Sequence, residues 1–246
     1  MTRYLISLSY KGTAYSGWQR QTTNLETVQE YLEKALRTIF KLKITATGAS
    51  RTDTGVHALD QKIIFTVPRA YKSTELKFLL NSHLPEDIRV NSCEMVDPNY
   101  KLLELIKEKT YVYKLSNQGV NALLNETVFT PDKSVKDMDL FKDALVIFIG
   151  EHNFKSFSVP GKRNSIRKVS SIQVIENAGI FHIHIKASGF LKYMIRFIIG
   201  ASMQAANGEL TLAQIQNELK NPTESLKILK APAKGLVLES IALQTK

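Results

Sequence analysis

A chain of 246 residues with 43% hydrophobic content carries enough apolar side chains for one large core or two small ones. Its 33 Lys and Arg outnumber 23 Asp and Glu, giving a formal charge of +10 and a pI near 9.5, a balance that favours a polyanionic partner. The single cysteine, Cys93, excludes an intrachain disulfide and a cysteine-based zinc site; no run spans a bilayer, and the first residues enter an apolar stretch too short for a signal peptide, so a cytoplasmic protein is expected.

Residues 5–10 read as a first strand, ended by Lys11-Gly12-Thr13. The next segment, Tyr15-Ser16-Gly17-Trp18-Gln19-Arg20-Gln21, mixes two aromatic rings with amides and a guanidinium. That composition suits stacking on bases and contact with phosphates, and a loop tucked against the core by Trp18 accounts for it equally. Thr27-Val28-Gln29-Glu30 has the form of a capping box, with Thr27 as N-cap and Glu30 reaching back. Behind it Val28, Tyr31, Leu32, Ala35, Leu36 and Ile39 repeat at helical spacing.

Apolar runs at 44–46 and 63–67 read as two short strands on either side of a polar, glycine-bracketed loop running from Gly48 to His57. Asp53 sits in that loop, and a loop held by a sheet is where catalytic side chains often lie. Arg51, two positions earlier, is close enough for a charge-assisted contact that keeps the carboxylate ionised. An Arg-x-Asp pair alone also describes a surface ion pair or an Asx-turn. A second helix, capped by Ser73 or Thr74, turns Leu76, Leu79 and Leu80 inward, and a strand at 88–96 follows.

The second half opens with a strand at 110–115 that places Tyr111, Tyr113 and Leu115 on one face. Asp137 caps a helix whose buried stripe is Phe141, Ala144, Leu145 and Phe148, with Gly150 as the stop. Stretches 169–175 and 180–187 form a hairpin, with Phe181, Ile183 and Ile185 facing one way and His182, His184 and Lys186 the other. The two histidines raise the question of a metal, but no neighbouring carboxylate or cysteine completes a site and a solvated sheet face explains them better. Residues 190–206 are apolar on nearly every side and read as a central buried helix, on which Lys192 and Arg196 stand one turn apart. A charge among such neighbours needs a partner, which marks Arg196 for a role. Thr211-x-x-Gln214 opens another helix, and 236–243 closes the chain as a strand. The order of elements in the two halves is loosely similar, so the chain divides into two related α+β domains, 1–104 and 105–246.

Gly48-x-x-Arg51-Thr52-Asp53-x-Gly55-Val56-His57 resembles the active-site loop of the tRNA pseudouridine synthase A family. So do Tyr10-x-Gly12-Thr13-x-Tyr15-x-Gly17-Trp18-Gln19, Thr27-Val28-Gln29, Thr110-Tyr111-x-Tyr113, His152-x-Phe154-x-Ser156-Phe157, Gly189-Phe190-Leu191-x-x-Met194-x-Arg196-x-Ile198-x-Gly200 and Ala231-Pro232-Ala233-x-Gly235-Leu236, in the family's order. Two places depart from the pattern. Lys11 stands where an aspartate is usual, and Tyr100-Lys101-Leu102-Leu103-Glu104-Leu105 replaces a segment that usually carries a His-x-Arg pair and Phe-Ser.

The resemblance implies two ferredoxin-like (RRM-like) α+β halves, their antiparallel sheets joined into one extended sheet with helices on one face. It also implies a homodimer acting on tRNA, with no metal, no organic cofactor and no membrane. The activity implied is isomerisation of uridine to pseudouridine at positions 38 to 40 of the anticodon arm. Asp53 is then the catalytic carboxylate, with Arg51, Tyr111 and Arg196 as its catalytic companions. Tyr15, Trp18, Gln19, Arg20, Thr52, Thr54, His57 and Lys192 are the expected substrate-binding set. A uracil stacked in a stem has to swing out before any of these can reach it.

Two other readings compete. Asp53-Thr54-Gly55 matches the triplet of aspartic proteases, but those have apolar residues where Ser50-Arg51-Thr52 stands, and a neighbouring guanidinium opposes a shared proton between two aspartates. A non-catalytic basic RNA-binding or tRNA-chaperone protein would use the same charge and aromatic rings.

Overall fold

The computed structural model describes residues 1–22, 25–159, 161, 164–223 and 226–244. The elements run β1 (Thr2–Tyr10), α1 (Val28–Phe40), β2 (Thr47–Gly48), β3 (His57–Val67), α2 (Ser73–His83) and β4 (Ile88–Val96). They continue with β5 (Ile106–Ser116), α3 (Met138–Val146), β6 (Gly150–Asn153), β7 (Ile166–Asn177), β8 (Ile180–Ala187), α4 (Met194–Ala206), α5 (Leu212–Lys220) and β9 (Leu236–Leu243). The α+β class expected from the sequence is the class observed. Two compact units form: Met1–Lys107 with Val237–Lys246, and Glu108–Leu236. Among the described residues, no helix is long and apolar enough to cross a membrane.

In the first unit β1 lies between β4 and β3, antiparallel to both, and the start of β9 runs parallel to β3 through His57↔Val237 and Ala58↔Leu238. Tyr4, Ile6, Leu8 and Tyr10 on one face of β1 are nearly inaccessible, and so are Leu5 and Ser7 on the other. Such a strand has to be apolar along most of its length. Leu32 and Leu36 of α1 and Leu76 and Leu80 of α2 are fully buried, each worth about 1.5–3 kcal/mol relative to exposure.

Several local expectations shift. Residues 44–46 are not a strand; Ile44 and Ala46 are buried as anchors and pairing begins at Thr47. β3 starts at His57, six residues ahead of its apolar run, because its polar half is paired on both sides and its buried amide, Gln61, finds backbone partners. The Thr27 capping box forms by half. Glu30 N–H donates to Thr27 Oγ1 at 3.3 Å, while the Glu30 carboxylate pairs with Lys34 at 3.0 Å. α2 has Lys72 at its N-cap, with no side-chain cap from Ser73 or Thr74.

The second unit orders its strands β5-β8-β7-β6, all antiparallel. The hairpin is longer than its apolar runs suggested, pairing out to Asn177↔Ile180. Asp137 caps α3 as expected, accepting from Asp139 N–H and Leu140 N–H. α4 packs on α3 and buries Met194, Ile195, Ile198, Ile199, Ala201 and Ala205. It begins at Met194, not at 190, because Tyr193 adopts a left-handed backbone (φ 63°) that a helix cannot continue through. Lys192 therefore lies in the preceding turn and not on the helix.

Candidate active site

The loop that bears Asp53 is held from both ends and from beneath. At its start, Ala49 N–H donates to Lys62 O at 2.8 Å. Gln61 then clamps Ser50, accepting from its N–H at 3.0 Å and donating to its carbonyl at 2.6 Å. Gln61 is fully buried, and both its amide atoms are satisfied by one residue of the loop. Asp53 O accepts from Val56 N–H at 3.1 Å, closing the turn around the carboxylate.

Beneath the loop lies the segment 10–18. Tyr10 OH and Thr52 Oγ1 share a buried hydrogen bond of 2.7 Å. Trp18 N–H donates to Thr52 O at 3.1 Å, Gly55 N–H to Tyr15 O at 3.3 Å, and Gly12 N–H to His57 Nδ1 at 3.0 Å. Approach this close needs glycine. A Cβ on Gly12 would meet Val56 O at 2.0 Å, and one on Gly17, where φ is +86°, would meet Thr52 O at 2.6 Å. The amino-terminal motif and the Asp53 loop are therefore one structure, with Asp53 half-buried and Arg51 and Thr54 exposed at its top.

This placement corrects part of the expected substrate-binding set. Trp18 is 1% exposed, its ring against Gly48, and cannot stack on a base there. Tyr15 is buried, with its ring edge-on to Tyr31 at 5.5 Å and its OH donating to Asp87 at 2.5 Å. Burial, and then the Asp87 carboxylate, push its ionisation far above the ordinary tyrosine range. Thr52 and His57 are also buried, with Thr52 Oγ1 bonded to Tyr10 OH and His57 Nδ1 accepting from Gly12 N–H. Gln19 and Arg20 remain exposed but are tied to α1: Gln19 Nε2 donates to Gln29 Oε1 at 2.7 Å, and Arg20 pairs with Glu33 at 2.5 Å. Gln29 and Glu33 were missed by the sequence reading. They lie one turn apart within the buried face of α1, and polar residues at that spacing in an apolar stripe were the available signal.

In the second unit, Tyr111 lies on β5 opposite Ile185, 6% exposed, with its ring edge-on to Phe190 at 5.3 Å. Tyr113, two residues on, donates its OH to Pro232 O at 2.9 Å. Burial raises its pKa well above the ordinary value, and the Arg196 charge opposes that rise. Arg196, buried in the first turn of α4, donates from Nε to Ala231 O at 2.6 Å, and Ala231 N–H returns to Arg196 O at 3.0 Å. The carboxy-terminal motif around Ala231-Pro232 thus holds the arginine, as a buried guanidinium requires. Lys192 is exposed beside Tyr193, and Lys230, which the sequence reading did not single out, lies over the same ring.

His182 and His184 are half-buried with their rings stacked at 6.5 Å. Among the described residues, no group of three or more His, Cys, Asp and Glu is arranged to hold a metal ion.

Known proteins are similar to this chain along nearly all of its length. The profile of a family described as tRNA pseudouridine synthase matches residues 6–102 and 144–242. The tRNA pseudouridine synthase A of Malacoplasma penetrans is 33% identical over 236 residues, covering 96% of this chain and 97% of that one. That of Onion yellows phytoplasma is 35% identical over 239 residues, with 97% of each chain covered. A crystal structure of an archaeal box H/ACA sRNP Nop10-Cbf5 complex aligns at a TM-score of 0.38 and 12% identity, over 94% of this chain and 58% of that one.

Proposed function

Because this chain belongs to the tRNA pseudouridine synthase A family, whose members are isomerases, we propose that it converts uridine to pseudouridine at positions 38 to 40 of the tRNA anticodon arm, with Asp53 as catalytic carboxylate. The observation that supports Asp53 is its mounting. A half-buried carboxylate stands at the tip of a turn whose backbone is tied to β1, β3 and the 10–18 segment by buried hydrogen bonds. That rigidity keeps a reacting group in place without reorganisation at the moment of reaction.

The reaction breaks the C1′–N1 bond of uridine and joins C1′ to C5 of the same base; the C5 proton leaves and N1 gains one, so substrate and product are isomers and no external redox partner enters. Asp53 serves as nucleophile toward the base or sugar, or as a base removing a sugar proton. Arg51, exposed two residues away, fills the space an extruded base leaves. Tyr111 assists removal of the C5 proton, and Arg196 holds negative charge on the carboxylate or the RNA. The same reading takes the working species to be a cytoplasmic homodimer, which light scattering on the purified protein checks for its oligomeric part.

Asp53→Asn should abolish pseudouridine formation while leaving tRNA binding within a few-fold of wild type. Release of tritium from C5-labelled tRNA is the assay. Appreciable turnover by the variant would remove Asp53 from the mechanism. No release by the wild-type protein on any tRNA, with binding intact, would favour a non-catalytic RNA-binding protein.

A further inference from the structure

Three cations converge on one ring in the second unit. Lys230 Nζ lies 4.0 Å from the Tyr193 centroid, Lys192 Nζ 5.1 Å and the Arg196 guanidinium carbon 5.2 Å. A ring face attracts a cation, but two exposed ammonium groups gathered at one ring repel each other, and the quadrupole of a single phenol offsets only part of that. Among the described residues, no carboxylate pairs with Lys192 or Lys230.

The arrangement is built, not incidental. Lys230 sits on a strap, 227–231, that is tied along one face of α4 by two residues two turns apart. Gln204 donates to Lys227 O at 3.1 Å and accepts from Leu229 N–H at 2.9 Å, and Arg196 exchanges two bonds with Ala231. Between them, Gly200 lets the strap in so closely that a Cβ there would lie 1.7 Å from Leu229 O. Tyr193 is held in the left-handed conformation, unfavourable for a residue with a side chain, where α4 begins.

We propose that Lys192, Tyr193 and Lys230 form a clamp for a backbone phosphate of the RNA substrate, with Tyr193 as the platform that gathers the two lysines. The clamp rests on the reading of this chain as a tRNA-modifying enzyme. It extends that reading to Tyr193 and Lys230, which fix the RNA backbone beside Arg196. Arg196 is buried and donates from Nε to Ala231 O, whereas Lys192 and Lys230 are exposed and able to follow a phosphate as the RNA docks.

The experiment uses the full chain and an unmodified tRNA transcript, with Kd measured from low to physiological salt. Lys230→Gln is expected to weaken binding several-fold at low salt and to reduce the slope of log Kd against log salt by about 0.7–0.9, the loss of one phosphate contact. Tyr193→Leu should do the same, and Tyr193→Phe, which keeps the ring, should restore wild-type affinity and slope. Lys142→Gln, the same charge change at an exposed position of α3, is the control and should leave the slope alone. The clamp is overturned if Lys230→Gln retains the wild-type slope, or if Lys142→Gln lowers it equally. It is also overturned if inorganic phosphate raises the melting temperature of wild type but not of Lys230→Gln while tRNA binding is identical, because the anion would then be a free one. Failure of the wild-type protein to form pseudouridine would refute the enzymatic reading and leave the salt slopes as a separate result.

Discussion

Gly17 shows how little room the Asp53 loop leaves for change. With φ at +86° and Thr52 O at 2.6 Å from where a Cβ would stand, Gly17→Ala has to move either the loop or the segment beneath it. A loss of about 1–3 kcal/mol is expected from the backbone strain alone, and tritium release should fall with it. Urea denaturation beside the activity assay checks both, and a variant of full stability would mean the loop yields easily. Lys109 on β5 makes a different prediction. Burial holds its ammonium down to about 8, below the ordinary lysine value of 10.5. Between those two values the unfolded chain binds more protons than the folded one, so stability rises with pH across that window and the lysine costs most below it. Lys109→Met removes that rise, so the stability of wild type relative to the variant should improve from pH 8 to pH 10; parallel urea midpoints would contradict it. Trp18 marks the limit of reading at this scale. Its composition suited base stacking and core packing equally, and only its position against Gly48 decided between them.

The β7–β8 hairpin turns on Ala178 and Gly179, at φ 50° and 73°, between paired Asn177 and Ile180. Two positive φ values in a two-residue turn suit Asn-Gly far better than Ala-Gly. Ala178→Asn should therefore stabilise the protein by about 1 kcal/mol, with no change in activity, as chemical denaturation would record. α5 shows a local rule holding in full: Thr211 and Gln214 form both halves of the capping box, and Thr211→Ala should cost about 1 kcal/mol. The Thr27 box formed only by half because Glu30 had Lys34 within reach one turn along. α4 was placed four residues early for a related reason. Only Lys192 interrupts the apolar run at 190–194, and nothing in it reveals that Tyr193 turns left-handed.

For the molecule as a whole, a charge of +10 makes salt the variable to test first. A protein that neutralises six to ten phosphates loses roughly 10³–10⁵ in affinity between 50 and 200 mM salt, and tRNA binding here should fall in that steep manner; a flat salt response would argue for recognition by neutral contacts. Class and most of the element order were legible in the chain, because periodicity, caps and glycine-bracketed turns are set by neighbours within a few residues, while the family was legible from its ordered motifs; the strand at Gly150–Asn153 was not foreseen. Which polar side chains lie inside was not. Gly12 meets His57, Tyr10 meets Thr52 and Arg196 meets Ala231 only once segments 35 to 45 residues apart are packed together. Burial is a property of that packing. A buried hydrogen bond therefore needs both of its distant partners in place before either can be told from a surface residue.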